Sequence, residues 1–184
     1  PGAELQIFNA RAAAPWKLFV GDSKSWQVPV VGGAATSAGG VVSVSATDRT
    51  VQEDARRVSW NGKGEGQVYF QAGAPQDLAT YLEQDAAIVV DMKVEQPPTK
   101  KVTMRMDCQY PCGSKGDLTE LMKKVPQDTW FPLSIDLQCF NKEGADFSRI
   151  DTPFLLLTRG RLALSFANLR IVPGAAADAV IKCD

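Results

Sequence analysis

The sequence predicts an all-β fold: two antiparallel sheets packed as a sandwich of jelly-roll type, with one or two short helices. Three observations carry this. Apolar and polar residues alternate with period two along most of the 184-residue chain. Turn-forming residues interrupt the alternation at intervals of about ten residues. Neither helical segment is long enough to cover a sheet, so the apolar faces must bury one another.

The alternation runs through the chain in order. Val42, Val44 and Ala46 oppose Ser43, Ser45 and Thr47, and Val58 with Trp60 and Val68 with Phe70 continue the pattern. Val90, Met92 and Val94 share a face against Asp91 and Lys93. Val102, Met104, Met106 and Cys108 oppose Lys101, Thr103, Arg105 and Asp107. Leu133, Ile135, Leu137 and Cys139 oppose Ser134, Asp136 and Gln138, and a last strand runs from about Leu162 to Val172. Asn61-Gly62-Lys63-Gly64 reads as a hairpin or flexible loop, Gln96-Pro97-Pro98 as a break, and Arg159-Gly160-Arg161 as a tight turn. One short helix is expected near Pro75 to Glu83. A second starts at Asp117, where Asp117 and Glu120 resemble a capping box, and ends before Pro126. Residues 1–14 and 173–184, rich in Ala and Gly, read as ends rather than core.

Composition narrows the function. Hydrophobic residues make up 45% and charged residues 22%, enough apolar surface for a real core. Twenty Lys and Arg against 21 Asp and Glu leave a net charge of −1, with no electrostatic footprint for nucleic acid or an anionic membrane. No run reaches the roughly 18 apolar residues that a membrane-spanning helix needs, so no membrane insertion is expected. The chain contains no His, which excludes Ser-His-Asp and Cys-His catalysis and His-ligated metals. It starts at Pro1 without an initiator Met, which reads as a processed product or a piece of a longer chain.

Asp48 to Arg57 is the densest polar cluster. Glu53 and Asp54 could ligate a structural calcium ion, or pair with Arg56 or Arg57 in a solvated loop; no EF-hand spacing is present. Abundant carboxylates do not make a glycosidase pair, which requires two groups roughly 5 to 9 Å apart. Aromatic side chains are the better lead, because rings such as Trp16, Trp26, Trp60, Trp130, Tyr69, Tyr81 and Tyr110 pack against the C–H faces of sugars. Trp60, in phase with Val58, and Trp130 are assigned to the core. Trp26, after Asp22-Ser23-Lys24-Ser25 in a loop, is the exposed ring.

Several ordered segments carry a resemblance. Ala14-Pro15-Trp16 leads into Gly21-Asp22-Ser23 and Trp26. Gln52-Glu53-Asp54-Ala55-Arg56 precedes Trp60, and Cys108-Gln109-Tyr110-Pro111-Cys112 precedes Asp117-Leu118-Thr119. Trp130 precedes Leu137-Gln138-Cys139-Phe140 and Gly144-Ala145-Asp146, and Pro153-Phe154-Leu155 with Thr158-Arg159-Gly160 closes the series. From about Leu5 to Cys183 the chain resembles the C-terminal galactose-binding-like domain of ExoP-type β-glucosidases and exo-β-glucanases of glycoside hydrolase family 3.

The resemblance implies a non-catalytic accessory β-sandwich of an exported bacterial hydrolase, periplasmic or extracellular. Its partners would be the catalytic domains of the same polypeptide and a β-glucan or cello-oligosaccharide. Residues 1–14 would then be a linker from the catalytic region and 15–184 the single sandwich domain, with no catalytic residue, no metal and no cofactor. Two roles compete: assisting carbohydrate binding or extending the substrate cleft, and a purely structural or dimerisation domain packed on the catalytic domains. If sugar binds, loops at one end of the sandwich that carry Trp26, Gln52, Glu53, Asp54, Arg56 and Tyr110 are expected to hold it. Four cysteines permit buried thiols or three full disulfide pairings. The favoured pairing is Cys108–Cys112, across a short loop that Pro111 bends, with Cys139–Cys183 tying the C-terminal tail to a core strand.

Overall fold

Period-two alternation sends every second strand residue inward, so the sheets can close only face to face. The structure, a computed structural model, describes residues 2–183. The described residues form, in order, β1 (Leu5–Asn9), β2 (Arg11–Ala12), β3 (Trp16–Asp22), β4 (Ser25–Pro29), β5 (Ala35–Thr36), β6 (Val42–Thr47), β7 (Ala55–Asn61) and β8 (Gly66–Ala72). Helix α1 (Ala79–Leu82), β9 (Ala87–Gln96), β10 (Val102–Asp107), β11 (Gly113–Asp117) and α2 (Thr119–Lys124) come next. They are followed by β12 (Trp130–Asp136), α3 (Gln138–Lys142), β13 (Thr152–Thr158) and β14 (Arg161–Val172). An eight-stranded antiparallel sheet has the order β12-β9-β14-β7-β6-β5, with β1 and β2 attached beside β14; a six-stranded antiparallel sheet has the order β11-β10-β13-β8-β3-β4.

From β7 onward the chain switches sheet at most connections. Asn61 to Gly64, Gln96 to Pro98 and Arg159 to Arg161 are all crossings between the sheets, so the first is not a hairpin. Phe8 and Phe166 of one sheet meet Phe70 and Phe154 of the other, with centroids 5.5 Å apart for Phe8–Phe166 and 5.9 Å for Phe70–Phe166. Trp16, Trp60, Met92, Met104 and Met106 are among the other large side chains buried between the sheets, and Met122 of α2 joins the same core. Each large side chain buried this way contributes roughly 1.5–3 kcal/mol.

Four further expectations need correction. Residues 1–14 are not all outside the core: β1 pairs with β14, and Ile7 and Phe8 are fully buried. The stretch from Leu5 to Phe8 is too short to show a period of its own before the Ala-rich residues that follow it. The strand at Leu133 stops at Asp136, where Asp136 Oδ1 accepts from the Gln138 N–H at 2.9 Å and turns the chain into α3, so Cys139 lies on a helix. Asp117 leads into α2 without a capping box: its carboxylate accepts the Thr119 N–H and hydroxyl. Trp130 is half-buried, not core, and carries Arg49 and Lys93 about its ring at 5.5 and 5.4 Å. The proposed linker role of residues 1–14 is a separate matter from their packing.

Both disulfides form, Cys108–Cys112 and Cys139–Cys183, and no cysteine is free among the described residues. Such bonds persist in oxidising compartments outside the cytosol. The second bridges residues 44 apart and anchors the chain's tail to α3. Chain-entropy arithmetic gives it about 4 kcal/mol. Replacing Cys139 and Cys183 together by Ser is expected to lower the urea-unfolding free energy by up to that amount; an unchanged midpoint would show that the tail packs without its covalent tie.

Candidate functional site

The two outer sheet faces differ in chemistry. Across the eight-stranded sheet, Asp91 pairs with Arg49 (3.3 Å) and Arg170 (3.7 Å), and Glu95 pairs with Arg57 (2.8 Å) and Lys93 (3.4 Å). These charges satisfy one another. The outer face of the six-stranded sheet instead holds a groove of about 530 Å³, lined by rings, amides, a hydroxyl and the Arg105–Asp107 ion pair, with Glu65, which pairs with Arg159 at 3.6 Å, as its one further charged group.

Trp26 forms one side of the groove. It sits on edge strand β4 and is 45% exposed, so it is a strand residue, not a loop residue. Its backbone is pinned from below: the Tyr69 hydroxyl donates to the Trp26 carbonyl at 2.8 Å, and Tyr69 in turn stacks on Phe19 with centroids 5.4 Å apart. Burial pushes the Tyr69 hydroxyl pKa up to about 12, so it stays a donor at physiological pH. Gly21 makes the approach possible, because a Cβ there would collide with the Trp26 carbonyl.

Tyr110 forms the other side, at the tip of the Cys108–Cys112 loop and 76% exposed. Gln109, with φ of 70°, turns the loop; its N–H donates to Asp151 Oδ1 at 3.0 Å, and Arg149 Nη1 donates to the Cys108 carbonyl at 2.9 Å. Arg105 lies beneath the ring, its guanidinium carbon 5.3 Å from the Tyr110 centroid. Arg105 Nε and Nη2 both donate to Asp107 Oδ1, at 3.0 and 2.8 Å. Burial pushes the Asp107 carboxyl above its ordinary range, and Arg105 opposes that rise. Gly113 leaves room for the pair, since a Cβ there would strike Asp107 Oδ1 and approach Arg105 Nη2 to 2.9 Å. Between the two walls, Gln71 donates to the Thr152 hydroxyl and accepts from Gln27, both at 2.9 Å, beside Leu155 and Leu157.

The expected residues therefore separate. Trp26 and Tyr110 come together, but across a strand face and not at end loops, because the β4 edge and the disulfide loop both rise above the same sheet. Gln52, Glu53, Asp54 and Arg56 do not line this groove. Gln52, Glu53 and Arg56 border a second, more open cavity with Trp16 and Val31. Arg56 is buried there against Phe8 (5.1 Å) and donates to the carbonyls of Glu53, Ala55 and Ala10, each at 2.9 Å, a bracing role. Asp54 accepts the N–H groups of Arg49, Thr50 and Val51, and Asp48 accepts that of Glu53. These carboxylates serve their own turn. Among the described residues no group of three or more Asp, Glu, Cys or His is placed to hold a metal ion. Sequence inspection named Tyr69 only as one ring among several and missed Arg105, Asp107 and Gln71, which alternate like any solvated strand. The available signal was an Arg-x-Asp pair on one strand face, running directly into a Cys-bounded loop with a Tyr.

The family model of the galactose-binding domain-like Exop_C domains matches residues 14–171. The chain belongs to this family. In fold, this Exop_C domain superposes on the extra C-terminal domain of ExoP, an exo-1,3/1,4-β-glucanase from a Pseudoalteromonas species. The TM-score is 0.79 at 18% identity, covering 98% of this chain and 99% of that one. Against the longer ExoP chain the TM-score is 0.80 at 17% identity, covering 100% of this chain and 21% of that one. A family 11 carbohydrate-binding module from Clostridium thermocellum, in complex with a β-1,3-1,4-mixed-linked tetrasaccharide, matches with TM-score 0.60 and 11% identity, covering 100% of this chain and 99% of that one. At these identities the likeness establishes a shared fold. No curated protein sequence matches the chain.

In the Exop_C domain, burial acts to raise the Asp54 carboxyl, but the N–H groups of Arg49, Val51 and Thr50 outweigh it and hold the pKa below its ordinary 3.8. A pKa lowered by folding stabilises the fold fully above the unfolded value, and that contribution disappears as pH falls through the folded value. Asp54→Asn is therefore expected to lower the melting temperature at pH 7, with the gap to wild type closing as the pH falls below the ordinary 3.8 and through the lowered folded-state value. A gap independent of pH would remove the charge from the explanation.

Proposed function

We propose that this is a non-catalytic accessory domain that binds a β-glucan or cello-oligosaccharide chain along the groove between Trp26 and Tyr110. The observation carrying this is the pairing of two exposed rings, each held by its own backbone anchor, across a floor of amides and hydroxyls. Rings pack on the apolar faces of sugars, and amides and hydroxyls bond their rims. From β4 to β10 the groove crosses four strand spacings, roughly 19 Å, room for several consecutive sugar rings. A family 3 glycoside hydrolase is the proposed parent, exported to the periplasm or beyond, with its catalytic domains as partners in the same polypeptide. The solved relatives support this: one is a domain of an exo-1,3/1,4-β-glucanase, and another holds a mixed-linked tetrasaccharide. Binding to a short sugar alone would be weak, a Kd near ~1 mM. Tethering beside a catalytic domain makes such affinity useful, because effective concentrations reach the same range.

Trp26→Ala and Tyr110→Ala are each expected to weaken cellohexaose binding about tenfold, the loss of one ring contact. Their melting temperatures should stay close to wild type, because both rings are exposed. Isothermal titration calorimetry and thermal unfolding measure the two effects. Absence of any glucan binding by the wild-type chain would return the domain to a structural role.

A further inference from the structure

We propose that Arg105 and Asp107 read the adjacent C2 and C3 hydroxyls of an internal β-1,4-linked glucosyl unit, so that the groove prefers β-1,4-linked stretches to β-1,3-linked runs. This rests on the sugar-binding role of the groove and adds a linkage preference to it.

A sugar hydroxyl both donates and accepts, so two neighbouring hydroxyls are matched by a donor and an acceptor held side by side. Arg105 and Asp107 are such a pair. Of the five N–H groups on a guanidinium, Nε–H and one Nη2–H go to Asp107 Oδ1, which leaves three directed elsewhere. Among the described residues Asp107 Oδ2 receives no hydrogen bond, and Asp107 lines the groove. The geometry is fixed before any ligand arrives. Tyr110 covers the guanidinium, the side chains are mostly buried, and Gly113 admits them without displacement. A preorganised pair loses little entropy on binding and rejects ligands that leave it unmatched. Its charges cancel, which suits a neutral sugar.

Linkage chemistry then decides between glucans. An internal β-1,4-linked unit carries free hydroxyls at C2 and C3, adjacent on the ring. An internal β-1,3-linked unit has its C3 oxygen inside the glycosidic bond. Its free C2 and C4 hydroxyls flank that bond and are not neighbours. One member of the Arg105–Asp107 pair would then face an ether oxygen or a gap, and a hydrogen bond to a charged group would be lost.

The test uses the 184-residue chain with cellohexaose and a long linear β-1,3-glucan whose chain ends are too few to contribute. Calorimetry is expected to give the cello-oligosaccharide at least about tenfold higher affinity per site. Asp107→Asn keeps the shape but removes the charge; Arg105→Lys keeps the charge but removes the fork. Each should reduce the preference to about twofold or less. Near-UV circular dichroism establishes that each variant is folded, and Arg105→Lys decides if Asp107→Asn is not. Equal affinity of the wild type for both glucans overturns the proposal, as does a preference that survives in a folded variant. In either case binding that Trp26→Ala weakens leaves the groove's sugar-binding role standing. A wild-type chain that binds neither glucan overturns both.

Discussion

Phe166 touches rings from both sheets, and that contact fixes what the outer surface can present. Phe8 and Phe166 meet Phe70 and Phe154 at the centre of the sandwich. Phe70 pairs across the sheet with Phe154, so inward rings on β8 and β13 set the register of both strands. With period two, their neighbours must then point outward: Tyr69 opposite Leu155, and Gln71 nearby. A one-residue slip would turn Tyr69 into the core between the sheets and Phe70 onto the outer face. The groove floor is thus a consequence of the core, with its side chains placed by residues that never meet a ligand.

The walls follow a different principle. Trp26 and Tyr110 project from an edge strand and a turn, where the core exerts little control. Each is held by a polar device of its own: the Tyr69 hydroxyl and Gly21 for the first, the disulfide loop with Asp151 and Arg149 for the second. Hydrogen bonds of this type are worth about 1 kcal/mol each, small in the fold's stability but enough to keep a ring in one place.

Much of the sandwich was legible in the alternation of residues such as Val90, Met92 and Val94, because one buried face per strand leaves a period of two. Trp26 was legible as an exposed ring and Tyr110 as a candidate sugar-contacting ring. Their meeting was expected at loops at one end of the sandwich; that it lies over a strand face was not legible, since only the strand order brings their elements there. Arg105 and Asp107 were hidden for the opposite reason: a polar residue over a groove and a polar residue in water have the same identity and spacing. The Asp48 to Arg57 cluster misled because charge density on a turn looks the same whether the carboxylates await a ligand or cap backbone N–H groups. Leu5 to Phe8 escaped because a short apolar run carries little periodicity.

The pairing of β1 with β14, together with the Cys139–Cys183 bridge, has a mechanical consequence. Tension entering at Leu5 runs lengthwise along β1 and is taken up in shear by its hydrogen bonds to β14. At the other end, Cys183 is bonded covalently to α3, directly after β12 of the same sheet. A load drawn between these two points stays within the eight-stranded sheet, through β14, β9 and β12. The six-stranded sheet lies outside that path, so the groove can keep its shape while the molecule is under strain.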